Sequence, residues 1–195
     1  MIRLACKIPE RVILACSGGR DSMSALEFLL RGKREVELAY FNHETPHSRD
    51  AEDFVIRSAK SLGLTYHIGF PLSTKEKKES LESYWHRERH GFFEKFHANV
   101  VLAHHLSDAT EWWIFSSLRG KPGLMPVKKP KSNIMRPFLL SSKSDLHRFD
   151  KFDFIEDPSN QSLKHARNVI RHKMRPVVQM INPGIETTVR NLYND

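Results

Sequence analysis

"VILACSGGRDSMSALEFLL", residues Val12–Leu30, decides the fold. Val12–Cys16 is an apolar, β-rich run, and Asp21–Leu30 carries apolar residues at helical spacing. Between them lies the glycine turn "SGGRDS", Ser17–Ser22. A strand feeding a glycine turn that opens a helix is the context in which such a turn holds phosphate. Gly18 and Gly19 let the backbone turn sharply and approach an anion closely. The free N–H groups at the helix start point at that anion, and the helix dipole favours it. Ser17 and Ser22 add hydroxyls. Asp21 is a poor phosphate neighbour by itself; it fits if Mg2+ neutralises it, or if it caps the helix. The turn lacks the Gly-Lys-Ser/Thr ending of the common NTP-binding loop. A βα turn without a ligand would explain two glycines, but not the whole string in this setting.

Outward from this unit the pattern repeats. Val36–Phe41 reads as a second strand, Ser48–Leu62 as an amphipathic helix and Leu64–Ile68 as a third strand. A long helix follows over roughly Leu81–Phe96, then a strand at Asn99–Ala103 and a helix at Ser107–Leu118. Strands alternating with helices predict βαβ units: an α/β fold, an open parallel sheet with helices on both faces. Beyond Arg119, Pro122, Pro126 and Pro130 mark a loop. Ile134–Leu139 is a candidate last strand, Ser141 or Ser142 a candidate helix cap, and Ser162–Met180 a basic helix.

Lys and Arg number 31 against 23 Asp and Glu, a formal charge of +8 before the 11 histidines are counted. That excess favours a polyanionic partner, with nucleic acid ahead of an anionic membrane. Cys6 and Cys16 form no CxxC pair, which excludes a disulfide framework or a Cys-rich metal site. "MIRLACKIPE" at the start has no apolar run of signal-peptide length, and no stretch approaches a membrane span. A cytoplasmic setting is the expectation, with 1–195 as one catalytic domain and 156–195 its basic helical end.

A second constellation, "AHHLSDATEWW", spans Ala103–Trp113 where the fourth strand meets its helix. Carboxyl ends of parallel strands line the ligand crevice of such sheets. Ser107 or Asp108 can cap the helix, and Asp108 and Glu111 share one helix face. Two carboxylates there suit a cation or an ammonium group; an N-cap with an ordinary first-turn Glu gives the same residues. On the basic helix, Arg167 and Arg171 lie four apart, with Lys164, His165, His172, Lys173 and Arg175 nearby. Such a surface can follow an RNA backbone, or be a solvated face. "HETPH", His43–His47, matches the H-E-x-x-H zinc signature, but Pro46 and the strand-like residues before it disfavour the helix that signature needs.

"SGGRDS" resembles the SGGxDS signature of the PP-loop ATP pyrophosphatases, and "HHLSDATEWW" resembles the HHxxDxxET-type stretch of the tRNA(Ile)-lysidine synthetases among them. "LRGKPGL" (Leu118–Leu124), "MRPFL" (Met135–Leu139), "HRERHGFFEKF" and "EDPSNQSLKHARNVIRHKMRP" (Glu156–Pro176) resemble further family segments, in family order from Val12 to Pro176. The resemblance implies an adenine nucleotide α-hydrolase-like fold, with ATP and Mg2+ at Ser17, Gly18, Gly19, Asp21 and Ser22. The loop would grip the β- and γ-phosphates, so that cleavage falls between α and β. It further implies lysine binding at Asp108 and Glu111, with His105 orienting nucleotide or base and Asn42 bordering the adenine. Arg89, Arg119, Arg167 and Arg171 would steady phosphate or RNA. The implied partners are L-lysine and a tRNA(Ile) with a CAU anticodon. The sequence departs from the pattern at Asn42, His86, Ser107 and Trp112. C-terminal tRNA-binding domains of longer members are not matched, so either the tRNA would be held more simply or a dimer or partner would supply that surface. A tRNA thiolase of the same superfamily, or a degenerate RNA-binding domain, are the rival readings; two lone cysteines oppose the first, and the intact Ser17–Ser22 the second.

Overall fold

The structure, a computed structural model, describes residues 1–163 and 165–194; Lys164 lies outside the described residues. The elements run β1 (Arg11–Ala15), α1 (Arg20–Arg31), β2 (Glu35–Phe41), α2 (Pro46–Ser61), β3 (Tyr66–Gly69), α3 (Leu81–Glu94), β4 (Val100–Val101), α4 (Leu106–Leu118) and β5 (Ile134–Met135). The strands form one five-stranded sheet in the order β3-β2-β1-β4-β5, and every pair is parallel. This is the open α/β sheet that the alternating pattern predicts.

Because the sheet is covered on both faces, β1 is apolar from Val12 onward, with only Arg11 exposed at its start. Val12 and Leu14 join Leu26, Leu29, Leu38 and Val55 on one side. Ile13 points the other way, into Ala39, Phe93, Val100 and Ile134. Leu14, Leu26, Leu29 and Leu38 are fully buried, each contributing about 1.5–3 kcal/mol. A third cluster, Leu106, Ala109, Leu139 and Val189, fixes α4 against the chain's end.

Helix α2 starts earlier than the apolar spacing suggests. Thr45 is its N-cap and Pro46 its first residue, with Thr45 Oγ1 and Ser48 Oγ 2.6 Å apart. Proline is pre-set for that position. His43 therefore stays in the loop and His47 enters the helix, so the two imidazoles of "HETPH" do not share a helical face. Strands β4 and β5 are shorter than their apolar runs, although pairing persists through Leu102 N–H to the Met135 carbonyl at 2.9 Å.

The basic segment opens with a 3-10 turn (Pro158–Gln161), and the helix expected over 162–180 runs without interruption from Ala166 to Ile181, as α6 (Ala166–Val169), a π-helical stretch (Ile170–Met174) and α7 (Arg175–Ile181), after α5 (Lys143–Leu146) and before α8 (Ile185–Asn191). Pro176 has no N–H and its ring opposes the carbonyl of His172, which disrupts the α ladder there. In a regular helix, residues at four-residue spacing drift by about 40° per step. The wider π turn counteracts that drift, so Arg167, Arg171 and Arg175 all reach α4.

The sheet order changes direction at β1, with β2 and β3 on one side and β4 and β5 on the other. The crevice beyond the carboxyl ends of β1 and β4 is thus the switch point where ligands of such sheets bind. Both sequence motifs leave the sheet there.

Candidate active site

The turn after β1 is built as its glycines require. Gly18 has φ +76°, a left-handed conformation, and a Cβ there would come within 3.0 Å of Phe54 and 3.2 Å of Ile155. The Ile155 N–H donates to the Gly18 carbonyl at 2.9 Å, so the segment before "EDPSN" braces the turn. Gly19 is the N-cap of α1 and no side chain caps the helix. Ser22 Oγ donates to the Gly19 carbonyl at 2.8 Å and lies 3.3 Å from Ser17 Oγ, which places both hydroxyls at the helix N-terminus. Cys16 is buried beneath them, 3.8 Å from Ser22 Oγ.

Asp21 does not cap the helix. Its Oδ1 lies 2.6 Å from His147 Nε2, 3.6 Å from His105 Nε2 and 4.0 Å from Lys143 Nζ. Burial opposes ionisation of this carboxyl, but the hydrogen bonding and charge of His105 and His147, with Lys143, outweigh it and hold the pKa well below the usual carboxylate range.

Helix α4 carries the second group. Neither Ser107 nor Asp108 is its N-cap; His105 is, and the Asp108 carboxylate at N3 accepts the His105 N–H at 3.0 Å. The buried His105 ring lies 3.4 Å from Asp108 Oδ2 through Nδ1 and 3.6 Å from Asp21 Oδ1 through Nε2, joining the two motifs. Asp108 Oδ1 accepts from Arg167 Nη2 at 2.6 Å and Arg171 Nη2 at 3.2 Å. Glu111, 2% exposed, is held in a two-pronged grip by Arg171, Nε to Oε1 and Nη2 to Oε2, both at 2.9 Å. Burial works against the Asp108 charge, yet His105 and Arg167 keep its carboxyl far below its ordinary value. For Arg171, burial lowers and Glu111 more than restores the pKa, leaving it raised.

Asp21, His105, Asp108, Glu111, Arg167 and Arg171 are thus brought together at the switch point. Asn42 lies at the carboxyl end of β2, buried, with Nδ2 donating to Glu52 at 2.6 Å. Arg89 on α3 is held at a pKa of about 10, first by burial and then by the like charges of Arg167 and Arg136. Arg119 is not brought in: it is the C-cap of α4, exposed over the Phe115 ring, at the opposite end from His105.

Sequence reasoning missed His147, Lys143, Arg136 and Glu186. His147 follows α5, whose N-cap is Ser142, while Ser141 is tied to Arg3 instead. Glu186 on α8 accepts from Ser107 Oγ at 2.7 Å and Arg175 Nη2 at 2.5 Å. A carboxylate from a distant helix therefore lies beside Ser107, one of the positions at which the sequence departs from the family pattern.

Residues 4–178 match the family described as the PP-loop domain. The chain is 33% identical over 198 residues to the tRNA(Ile)-lysidine synthase of Thermosipho africanus, covering 92% of this chain and 46% of that protein. It is 30% identical to the Francisella tularensis enzyme of the same name, covering 95% and 50%. The chain thus spans about half the length of the curated relatives it matches. The U34-tRNA thiolase NcsA from Methanococcus maripaludis, solved with its 4Fe–4S cluster, superposes with a TM-score of 0.75 at 14% identity, covering 96% of this chain and 72% of that one, which speaks to the fold. The turn, its place at the switch point and these matches agree: the chain belongs to the PP-loop domain family, with tRNA(Ile)-lysidine synthases as relatives.

Proposed function

We propose that the protein is a tRNA(Ile)-lysidine synthase-like ligase that forms a carbon–nitrogen bond. The observation that carries this reading is the buried carboxylate pair, Asp108 and Glu111, which accepts cationic N–H donors at 2.6–2.9 Å one His105 ring away from the Asp21 turn. ATP would transfer its AMP moiety to the C2 oxygen of the wobble cytidine in a CAU-anticodon tRNA, with the α–β phosphoanhydride bond breaking and pyrophosphate leaving. The lysine ε-nitrogen then bonds to C2 as the C2–oxygen bond to AMP breaks, and the amine loses its proton. A cytoplasmic tRNA pool supplies the substrate, and a second copy of the chain would extend the tRNA surface. Among the described residues no helix is long and apolar enough to cross a membrane.

In this reading Ser17, Gly18, Gly19 and Ser22 hold the leaving pyrophosphate. Asp108 and Glu111 seat the ammonium. His105 would take the proton that the amine loses. Arg89, Arg167 and Arg171 steady phosphate or RNA, and Asn42 borders the adenine. Mg2+ fits: Asp21 is an ionised carboxylate at the turn, and this ion is commonly held by one or two carboxylates plus substrate phosphates. Asp21 would hold it, and bound there it neutralises phosphate charge. The thiolase alternative gains nothing from the cysteines. Burial raises the pKa of both Cys6 and Cys16, opposite to an activated thiolate.

The test incubates the protein with ATP, Mg2+, labelled lysine and a CAU-anticodon tRNA transcript, followed by nucleoside mass spectrometry. A lysine adduct on cytidine is the expected result. Its absence with a competent transcript refutes the reading. ATP–pyrophosphate exchange without an adduct points to another acceptor, and no exchange at all to a non-catalytic RNA-binding domain.

A further inference from the structure

Arg167 stands between groups of opposite character. On one side is Asp108 at 2.6 Å. On the other are Arg89 and Arg136, close enough that Arg167 and Arg136 both depress the Arg89 guanidinium. Arg89 makes no hydrogen bond or ion pair among the described residues. Arg136 is buried, donates from Nη1 to the Pro126 carbonyl at 2.9 Å, and leaves its buried Nε without a partner. His104 Nδ1 is likewise buried and unpartnered. Burial, opposed by Asp108 and reinforced by Arg167, Arg136 and Arg89, pushes the His104 imidazole down to about 3.

These side chains come from α3, from the backbone just after β4, from the residue following β5 and from α6. They meet at the carboxyl edge of the sheet beside the site described above. Among the described residues only Arg167 of these cations faces carboxylates, Asp108 at 2.6 Å and Glu111 at 3.6 Å, and such a cluster is costly in a partly desolvated place unless an anion joins it. A phosphate group has the several acceptor oxygens that forked guanidinium donors match.

We propose that Arg89, Arg136 and Arg167, with His104 beside them, form a phosphate site that is completed when a cation on Asp108 releases Arg167. In the clause that this cation is the lysine ammonium, the proposal rests on the function proposed above. Arg171 keeps its two bonds to Glu111 in either state and gives up only its longer contact to Asp108 at 3.2 Å, whereas among the described residues Arg167 gives up its one hydrogen bond to a carboxylate and keeps only the 3.6 Å approach to Glu111. Lysine and a phosphate-bearing ligand then strengthen each other's binding by the same factor.

The full chain is titrated at fixed ionic strength with two probes, MgATP and a CAU anticodon stem-loop RNA. The variants are Arg89→Gln, Arg136→Gln, Asp108→Asn and the double variant D108N/R136Q. R89Q removes a side chain that makes no hydrogen bond or ion pair among the described residues, so the contacts described above stay intact. R89Q and R136Q each weaken one of the probes about fivefold or more. Weakening of MgATP alone assigns the site to a nucleotide phosphate; weakening of the RNA alone assigns it to a phosphodiester. D108N frees Arg167 without lysine and tightens that same probe, and R136Q abolishes the gain. Unchanged affinities in R89Q and R136Q for both probes overturn the site. A D108N gain that persists undiminished in D108N/R136Q reduces the effect to bulk charge and also overturns it. Saturating L-lysine reproduces the D108N gain in the wild type. Lysine that binds without doing so overturns the coupling. Lysine that does not bind overturns the proposed function, while the D108N and R136Q titrations still decide the phosphate site.

Discussion

Replacing Arg171 by Met removes both prongs on Glu111 and leaves that carboxylate 2% exposed. Breaking a buried pair by deleting one partner costs about 3–5 kcal/mol when nothing else faces the remaining charge. Here Arg167 Nε lies 3.6 Å and Arg175 Nη1 3.7 Å from the Glu111 oxygens. At an effective dielectric of about 20, cations at that range still attract a carboxylate by about 4–5 kcal/mol each before desolvation. The Coulomb loss is therefore largely offset, and the cost reduces to the two charge-assisted hydrogen bonds to Glu111 and the longer one to Asp108 at 3.2 Å. At the low end of about 1.5 kcal/mol for each Glu111 bond, the expected destabilisation is about 3 kcal/mol. Urea unfolding followed by circular dichroism reads it as a lower midpoint at unchanged slope. In R171M/E111Q the neutral amide no longer needs a cation, so the double variant regains about 1 kcal/mol or more over R171M. An R171M loss below about 0.5 kcal/mol, or strictly additive effects in the double variant, refutes the argument that Glu111 depends on this guanidinium.

Acid sensitivity follows from the buried imidazoles. Burial pushes His90 and His104 down to about 3 and His43 to about 4, whereas the unfolded chain titrates near 6.5. The unfolded state then binds more protons below about pH 6.5, and stability falls as pH drops toward 4 by up to about 1.4 kcal/mol per pH unit for each histidine. Asp108, whose folded pKa is depressed, adds a further loss only below about pH 4. A urea midpoint that stays flat from pH 7 to 5 contradicts this. Gly18→Ala puts a Cβ at φ +76° against Phe54 and Ile155, costing about 1–2 kcal/mol from the backbone alone. It also weakens ATP binding, measured by calorimetry, and wild-type stability and affinity would count against the loop geometry. Ser107→Asp sets a second carboxylate against Glu186, beside a side chain now 2.7 Å from it. It destabilises by about 1–3 kcal/mol, and S107D/E186Q recovers the loss in thermal unfolding; no loss in S107D would show that Glu186 does not occupy that place.

Much of the fold was legible in the sequence because its signals are local. The apolar run at Val12–Cys16, the glycines of Ser17–Ser22 and the helical spacing after Asp21 each act over a few residues, and β1, the turn and α1 form where they predict. The same holds for "HHLSDATE" at the head of α4. Pro46 already argued against a helical "HETPH", and it instead begins α2. The boundaries that slipped depend on contacts outside the segment: pairing with β1 limits β4 to two residues, and the basic helix begins at Ala166 and widens to a π turn before Pro176.

The partners of the site residues were not legible. Asp108 and Glu111 were read as open to an ammonium, and Arg167 and Arg171 as facing phosphate. The tertiary structure sets these four against one another, with Arg175 and Glu186 extending the network. His147 reaches Asp21, and Arg175 reaches Glu111, across separations that no spacing rule covers. By itself the sequence determined the α/β fold, the phosphate turn and the carboxylate pair, because backbone conformation and periodicity are short-range properties of the chain. Only the tertiary structure decided which charge neutralises which, because electrostatic pairing depends on distance in space and on burial, and both arise only when the sheet and the C-terminal helices have packed.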